Sequence, residues 1–429
     1  MNLTYRLERR VVITGLGIVS PAGIGKEEFW ASISAGRSCI RHITRFDTSG
    51  HKVNIAGEIS NFSPAAFLGV ELSDQYHRPE LYAVCACKLA IEDGRLAVED
   101  LDPERTGIAL GTSAGGMEST VGRLLRSELS ASGDDCDTAA VSELFSVFPG
   151  NLAATVRSFL GLNGTCIGIS TGCTAASDAI GYGFEHIRAG LADVMLVGGS
   201  EAPIEPVTIQ AFDAIGTLSR RNDPLRSSRP FDKDRDGFVI GEGAGILVLE
   251  ELSHALTRRA HIYAEVAAYQ TACDAYHLTS SDPAMIAATH VIQSALDEAN
   301  LQPEAVDHIT AHGSSTQMND ARETAVIKRA FGDYAYKIPI SGLKSMIGHT
   351  SGAAGAMQAI GASLSLENQY VPPTINYDTA SPDCDLDYVP NKGRGANLHV
   401  VLQNTYAYAG KNTAILYRRF EGAPYGYRV

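Results

Sequence analysis

Gly168-Ile-Ser-Thr-Gly-Cys-Thr-Ala-Ala-Ser177 is the stretch that decides the fold. The residues leading into it, Thr165, Cys166, Ile167 and Ile169, form an apolar, β-leaning run that ends in a glycine turn at Gly172. Beyond Cys173, apolar residues recur at Ala176, Ile180, Phe184, Ile187 and Leu191, the three-and-four spacing of one helix face. The pattern predicts strand, tight turn and helix, with a thiol in the helix's first turn. Unpaired backbone N–H groups and the macrodipole favour negative charge there. That setting lowers a thiol's pKa, and the thiolate is a nucleophile. Taken without its neighbours, Cys173 also reads as a small buried hydrophobe, the role most free cysteines play.

A second stretch rhymes with the first. Ile340 to Gly361 repeats the order of Ile169 to Tyr182: a strand, a glycine turn carrying a reactive side chain, and a helix of small residues. The two helices are unusual. Gly352 to Leu366 contains no charge, and Cys173 to Phe184 contains only Asp178. A helix that is apolar all round is buried all round. These features predict a duplicated α/β fold in which two largely parallel sheets sandwich a pair of buried helices. We divide it into an N-terminal half, residues 1–261, carrying Cys173, and a C-terminal half, residues 262–429, carrying two histidine turns.

Composition narrows the functional class. The 429 residues carry 49 Asp and Glu against 35 Lys and Arg, a net charge of -14, which disfavours nucleic-acid binding. No apolar run approaches the ~20 residues of a membrane span. The opening MNLTYRLERR lacks the apolar core of a secretory signal. The eight cysteines are scattered and include no CxxC pair, so neither a disulfide framework nor a zinc site is expected. A reducing cytoplasm fits.

Two motifs compete with this reading. Gly15-Leu-Gly17-Ile-Val-Ser20 is a near miss for a dinucleotide fingerprint, with Ser20 in place of the third glycine, and is expected to be a tight turn after a core strand. Gly168-Ile-Ser170-Thr-Gly172 matches the G-x-S-x-G elbow, but the turn falls at Gly172-Cys173 and leaves Ser170 in the strand. Further on, Ala311-His-Gly-Ser-Ser-Thr316 and Lys344-Ser-Met-Ile-Gly-His349 each end a strand in a glycine turn with a polar head. Ligands of α/β sheets bind outside the carboxyl ends of the strands. A thiol and two neutral histidines there can carry out acyl transfer and stabilise an oxyanion or enolate.

With these residues in place, the chain resembles the β-ketoacyl-acyl-carrier-protein synthases. The matching motifs are Thr171-Gly-Cys-Thr174, Ala311 to Thr316, Lys344 to His349 and Asn404 to Asn412. Supporting runs are Ser219 to Asp223, Ser228 to Asp232, Asp236 to Val239, Asp274 to His277 and Val371 to Asn376. Thr171 to Thr174 and Asn319-Asp-Ala-Arg-Glu-Thr324 lean toward the ketosynthase subunit of type II polyketide synthases. The resemblance implies the five-layer αβαβα thiolase fold.

It also implies roles for individual residues. Cys173 accepts an acyl group from a carrier's phosphopantetheine thioester. His312 and His349 bind the malonyl thioester carbonyl and stabilise the enolate left by decarboxylation. Lys344 balances charge near His349. The backbone N–H groups of Cys173 and Tyr408 form the oxyanion hole. Ser314 and Thr316 meet the pantetheine arm, Ala114 lines the acyl pocket, Tyr406 is a further substrate-binding residue, and Arg220 and Arg221 meet an acidic carrier, with Arg226 and Arg229 as further candidates. No bound cofactor and no metal is expected. The partners implied are acyl carrier protein and a second subunit, either an identical copy or a chain-length-factor-like relative.

Two departures from the family pattern stand out. Tyr406-Ala-Tyr-Ala-Gly410 replaces a loop usually richer in Phe and Gly, and Gln358 stands where a buried Glu linked to the lysine is usual. The alternatives are a housekeeping fatty-acid elongation synthase and a weakly or non-catalytic chain-length partner. A thiolase is disfavoured because Cys384 lies outside the glycine loop.

Overall fold

A computed structural model describes residues 9–68, 76–116 and 147–422. Asp134 to Asp137, polar enough for the sequence to predict a loop, and Ser142, from which it predicts a helix to Leu160, lie outside the described residues. The N-terminal half contributes strands β1 (Val11–Ser20), β2 (Thr106–Gly111), β3 (Cys166–Ile169), β4 (Val194–Glu201) and β5 (Gly243–Glu251). The C-terminal half contributes β6 (Ala264–Cys273), β7 (His308–Thr310), β8 (Ile340–Ser341), β9 (Val400–Ala407) and β10 (Lys411–Arg418). The hydrogen-bonded order is β8-β7-β9-β10-β6-β1-β5-β4-β2-β3.

Duplication is visible in strand direction. β3, β2 and β4 are mutually parallel, while β5 and β1 run antiparallel to their neighbours. In the other half, β8, β7 and β9 are parallel, and β10 and β6 are antiparallel. Each half is therefore mixed rather than largely parallel: three parallel strands are followed in the sheet by an antiparallel pair, β5 and β1 in one half and β10 and β6 in the other. The halves join edge to edge through β1 and β6 at Val11↔Val266, Val12↔Glu265 and Ile13↔Ala264.

The core is layered. Helices α1 (Arg78–Asp93) and α2 (Pro149–Leu160) cover the outer face of the first half, with Tyr82, Val84 and Val156 packed on Ile108, Leu196 and Val248. Pro149 opens α2 at its first turn, where its missing N–H is not needed. Helices α4 (Ile286–Glu298) and α5 (Gln317–Phe331) cover the second half, with Ile292, Leu296 and Ile327 on Ile309, Leu402 and Leu416. Between the sheets lie α3 (Ala175–Arg188) and α6 (Ala354–Asn368), whose Ile180, Phe184, Met357 and Ile360 share one cluster with Val197, Leu247, Ile415 and Tyr417. Every residue from Ala354 to Leu366 is buried, as its uncharged sequence requires. Small residues let the layers approach. A Cβ added to Gly355 would stand 2.2 Å from the Ser177 hydroxyl and 2.6 Å from its backbone nitrogen.

Local expectations fail in three places. Gly15 to Ser20 is not a turn but the second half of β1. Its glycines are there for packing, since a Cβ on Gly17 would sit 1.8 Å from the carbonyl oxygen of Ala86 on α1. Asp282-Pro283 has the sequence pattern of a helix cap followed by a first helical residue, yet α4 begins only at Ile286, after Met285 at φ 56°. Leu191 lies beyond the end of α3 and is half exposed. Among the described residues, no helix is long and apolar enough to cross a membrane.

Candidate active site

The site forms where the strand ends of both halves meet the N-termini of α3 and α6. β3 ends at Ile169, and Gly172 turns the chain with φ 70°. A 3-10 turn, Gly172–Thr174, carries Cys173 into α3. Asp178 in the first turn of that helix fastens it, accepting hydrogen bonds from Thr171 and Thr174, on either side of the cysteine. Its other oxygen accepts from Tyr269 (2.9 Å) on β6 and Thr413 (3.0 Å) on β10, so the second half locks the first half's turn.

His312 follows β7 and His349 follows the short helical turn Lys344–Ile347. The two imidazoles lie 5.3 Å apart, centroid to centroid, at 85°. Phe238 packs edge-on to His349 at 5.2 Å, and Tyr406 lies 5.9 Å from His312. The backbone N–H of Tyr406 donates to His312 Nδ1 (3.4 Å), and that of Ser351 donates to His349 Nδ1 (3.2 Å). A backbone N–H is only a donor, so each Nδ1 is an acceptor and each neutral ring carries its proton on Nε2. Burial, reinforced by the Lys344 cation, pushes both histidines well below the usual imidazole range. Both are neutral at physiological pH, with Nε2–H free to bind an oxygen.

Cys173, His312 and His349 line one cavity of about 560 Å³, together with Ser314, Thr316 and Tyr408. Tyr406 lines it too, while Ala114 does not; the Ala114 N–H is bound to Glu201 Oε1 at 3.3 Å. Lys344 is buried beneath the site and donates to the His312 carbonyl. Arg220 and Arg221 lie on the surface, bonded to the Asp213 carboxylate (2.8 Å) and the Asp234 carbonyl (3.1 Å). Arg229 is buried and paired with Asp232 and Asp378. Among the described residues no group of three or more His, Cys, Asp or Glu is arranged to hold a metal ion.

The thiol does not follow the helix-terminus expectation. Burial pushes Cys173 up to about 11, the nearby Glu201 carboxylate adds to this, and Lys344 opposes it. The dehydration penalty on a thiolate outweighs the opposing charge of Lys344, so the resting side chain is a thiol.

Sequence reasoning missed two carboxylates. Glu323, on α5, accepts from the backbone N–H groups of His312 and Gly313, each at 2.8 Å, and its charge bears on Lys344. Burial pushes it up to about 7 and pushes Lys344 down to about 8. Asp320, one turn earlier, holds the backbone N–H of Phe231 (2.8 Å) and Ser315 (3.2 Å). The available signal was two acids three residues apart, which share a helix face, directly after the histidine turn. Glu323 answers the doubt raised by Gln358: the lysine keeps a carboxylate neighbour. Gln358 instead donates from Nε2 toward the carbonyls of Thr310 (3.1 Å), Ala311 (2.9 Å) and Asn404 (3.0 Å).

Known proteins resemble the chain along nearly its whole length. Residues 8–255 match the family model described as "Beta-ketoacyl synthase, N-terminal domain", and residues 263–378 match "Beta-ketoacyl synthase, C-terminal domain". The chain is 43% identical over 414 residues to a "Putative polyketide beta-ketoacyl synthase 1" of Streptomyces cyaneus, covering 96% of this chain and 98% of that protein. It is 39% identical over 416 residues to a "3-oxoacyl-[acyl-carrier-protein] synthase 2" of Synechocystis sp., covering 96% and 99%. A solved structure, "The ishigamide ketosynthase/chain length factor", superposes with a TM-score of 0.89 at 38% identity, covering 96% of this chain and 99% of that one. The thiolase-type fold expected from the sequence is thereby shown.

Proposed function

This chain belongs to the beta-ketoacyl synthase family, and we propose that it condenses an acyl group held on Cys173 with a malonyl unit held on an acyl carrier protein. The observation that carries this is the shared cavity: one thiol and two Nε2–H donors face the same space.

Acylation is a thioester exchange. The Cys173 sulfur bonds to the acyl carbonyl carbon, the bond to the pantetheine sulfur breaks, and the thiol proton ends on that leaving sulfur. Lys344 favours the transient thiolate by its charge. The malonyl thioester then enters, with Ser314 and Thr316 along its arm and its carbonyl oxygen on the Nε2–H groups of His312 and His349. Loss of carbon dioxide leaves electron density on that oxygen, which neutral donors fixed beforehand stabilise most effectively. The enolate carbon attacks the acyl-Cys173 carbonyl, whose oxygen takes the backbone N–H groups of Cys173 and Tyr408. Collapse restores the thiolate and gives a 3-oxoacyl carrier.

The similarity to a polyketide synthase subunit and to a ketosynthase/chain length factor structure supports a ketosynthase of a type II polyketide or specialised fatty-acid-like pathway, working in the cytoplasm with a chain-length-factor-like partner or a second copy. Similarity to a 3-oxoacyl-[acyl-carrier-protein] synthase supports the elongation reading as the second choice. The test is intact-mass analysis of the protein after exposure to a hexanoyl-loaded bacterial acyl carrier protein. A single acyl adduct, absent in Cys173→Ala, is expected. An adduct that survives this substitution removes the proposed nucleophile.

A further inference from the structure

One buried carboxylate at the head of α3 takes no part in the condensation described above. Asp178 is the sole charge between Cys173 and Phe184, and it is only 9% exposed. Its four hydrogen-bond partners among the described residues are hydroxyl groups, not cations. A buried carboxylate without a countercharge is a costly way to hold a core together. What it supplies is direction, since hydrogen bonds to a carboxylate are about twice as strong as neutral ones.

Its two oxygens face different halves of the chain. Oδ2 takes the hydroxyls of Thr171 and Thr174, which flank Cys173. Oδ1 takes Tyr269 on β6 and Thr413 on β10, 91 and 235 residues away in sequence. β10 begins at Lys411, directly after the turn Tyr408–Gly410, so Thr413 lies on the strand that leaves the turn of Tyr408. One carboxylate thus ties the turn that seats the thiol to the strand leaving the turn that presents the Tyr408 N–H. Close packing keeps this tether short: a Cβ added to Gly181, one turn further along α3, would stand 2.2 Å from the Tyr269 ring. The imidazoles are held by other groups, His312 by the Tyr406 N–H and His349 by the Ser351 N–H.

We propose that Asp178 is a positioning residue for acyl transfer, fixing Cys173 against the backbone N–H of Tyr408 without touching the substrate. This rests on the reading of Cys173 as the acyl acceptor and of that N–H as an oxyanion donor. Attack on a thioester depends on alignment, and a misplacement of about 1 Å can cost about 10²-fold. Malonyl decarboxylation draws on His312 and His349, both in the C-terminal half, and does not need the thiol in place. Loosening the Asp178 tether therefore slows acylation and spares decarboxylation.

The experiment measures both steps on the full chain. Cys173 acylation by hexanoyl-pantetheine is followed by intact mass, and decarboxylation of malonyl-pantetheine by carbon dioxide release. The readout is the ratio of the two rates within one protein preparation, so partial loss of folded protein cancels. Asp178→Asn keeps the shape but turns one acceptor oxygen into a donor, and is expected to lower the acylation-to-decarboxylation ratio by about 10–10²-fold. Thr413→Val removes one hydroxyl at the far end of the tether and is expected to lower it by about tenfold, the worth of one net hydrogen bond. Thr413→Ser keeps that hydroxyl and is expected to restore the wild-type ratio. A ratio unchanged in Asp178→Asn, or one that falls as far in Thr413→Ser as in Thr413→Val, overturns the inference and leaves the condensing reading intact. No acylation of the wild-type chain overturns both.

Discussion

The two reactive turns share a backbone and differ in what they present. Thr171-Gly-Cys-Thr174 and Thr350-Ser-Gly-Ala353 align position for position: each has a Thr before the turn, a positive φ next (70° at Gly172, 45° at Ser351), a 3-10 turn, then a buried helix. The reactive atom sits at different places. In the first half it is Cys173, inside the 3-10 turn. In the second half the matching residue is Gly352, and the imidazole stands three residues earlier at His349. Gly352 gives its N–H to Glu201 at 2.9 Å, and a Cβ there would lie 2.3 Å from the Ser113 nitrogen. In the proposed reaction one turn seats the nucleophile. The other is packed against it as a brace, and the segment that leads into it from the helical turn Lys344–Ile347 supplies the imidazole.

If that division of labour is right, the turns fail differently. His349→Ala is expected to lower malonyl decarboxylation by about 10²–10³-fold, the usual effect of losing one oxyanion donor. Acyl transfer to Cys173 should persist. Decarboxylation is read as carbon dioxide release and acylation by intact mass. Equal loss of both steps would show that the second turn does not act separately from the first.

Much of this was legible from the sequence for a physical reason. Fully buried helices need uncharged sequence, and Gly352 to Leu366 is uncharged, so the central layer announced itself. Cys173, His312 and His349 stood out because each sits next to a glycine in a turn after a strand. What was not legible depends on contacts between distant segments. The glycines at 15 and 17 read as a turn because nothing local shows that Ala86 and Ala90 press against them. Glu323 and Lys344 lie on different elements, and only the tertiary fold places a carboxyl beside the lysine. The thiol's affinity for its proton follows burial, which a helix-start pattern does not encode.

That last point sharpens the comparison through pH. A thiol poised by a helix terminus alone would reach its alkylation plateau near neutral pH. With Cys173 pushed up to about 11, folded protein holds the proton more tightly than unfolded chain. Thiolate therefore accumulates only as pH rises toward that value. Iodoacetamide labelling of Cys173, quantified by peptide mass, should climb about tenfold per pH unit through the neutral range and still be climbing at pH 9. The linked stability term has the same sign. It is absent below the unfolded thiol's pKa and turns unfavourable as pH rises from about 8.5 toward the folded value. His349 behaves oppositely: its folded pKa is depressed, so its ring stays neutral above pH 6.5 and its function is not titrated there. A labelling plateau at neutral pH would return the cysteine to the helix-terminus description.

The smallest effect tests the packing that holds the turns together. Ala176 and Gly355 are matched positions two residues into the buried helices, yet one carries a methyl group and the other does not. The asymmetry follows from the contact between them, where Gly355 faces Ser177 and its backbone nitrogen. Ser177 has little room to retreat, because its hydroxyl is held by Thr405 and Gln403, each at 2.9 Å. Gly355→Ala gains helix propensity of up to about 1 kcal/mol, but overpacking a core site costs about 1–3 kcal/mol. We expect a net loss of about 1–2 kcal/mol from these terms, read as a lowered urea midpoint with unchanged slope. Ala176→Gly loses the propensity term and the buried methyl, about 1–2 kcal/mol, with no clash to relieve. The double variant Gly355→Ala/Ala176→Gly separates the explanations. If the helices are merely tight everywhere, the two changes compensate and stability recovers. If the contact at Ser177 is specific, as the geometry shows, the losses add.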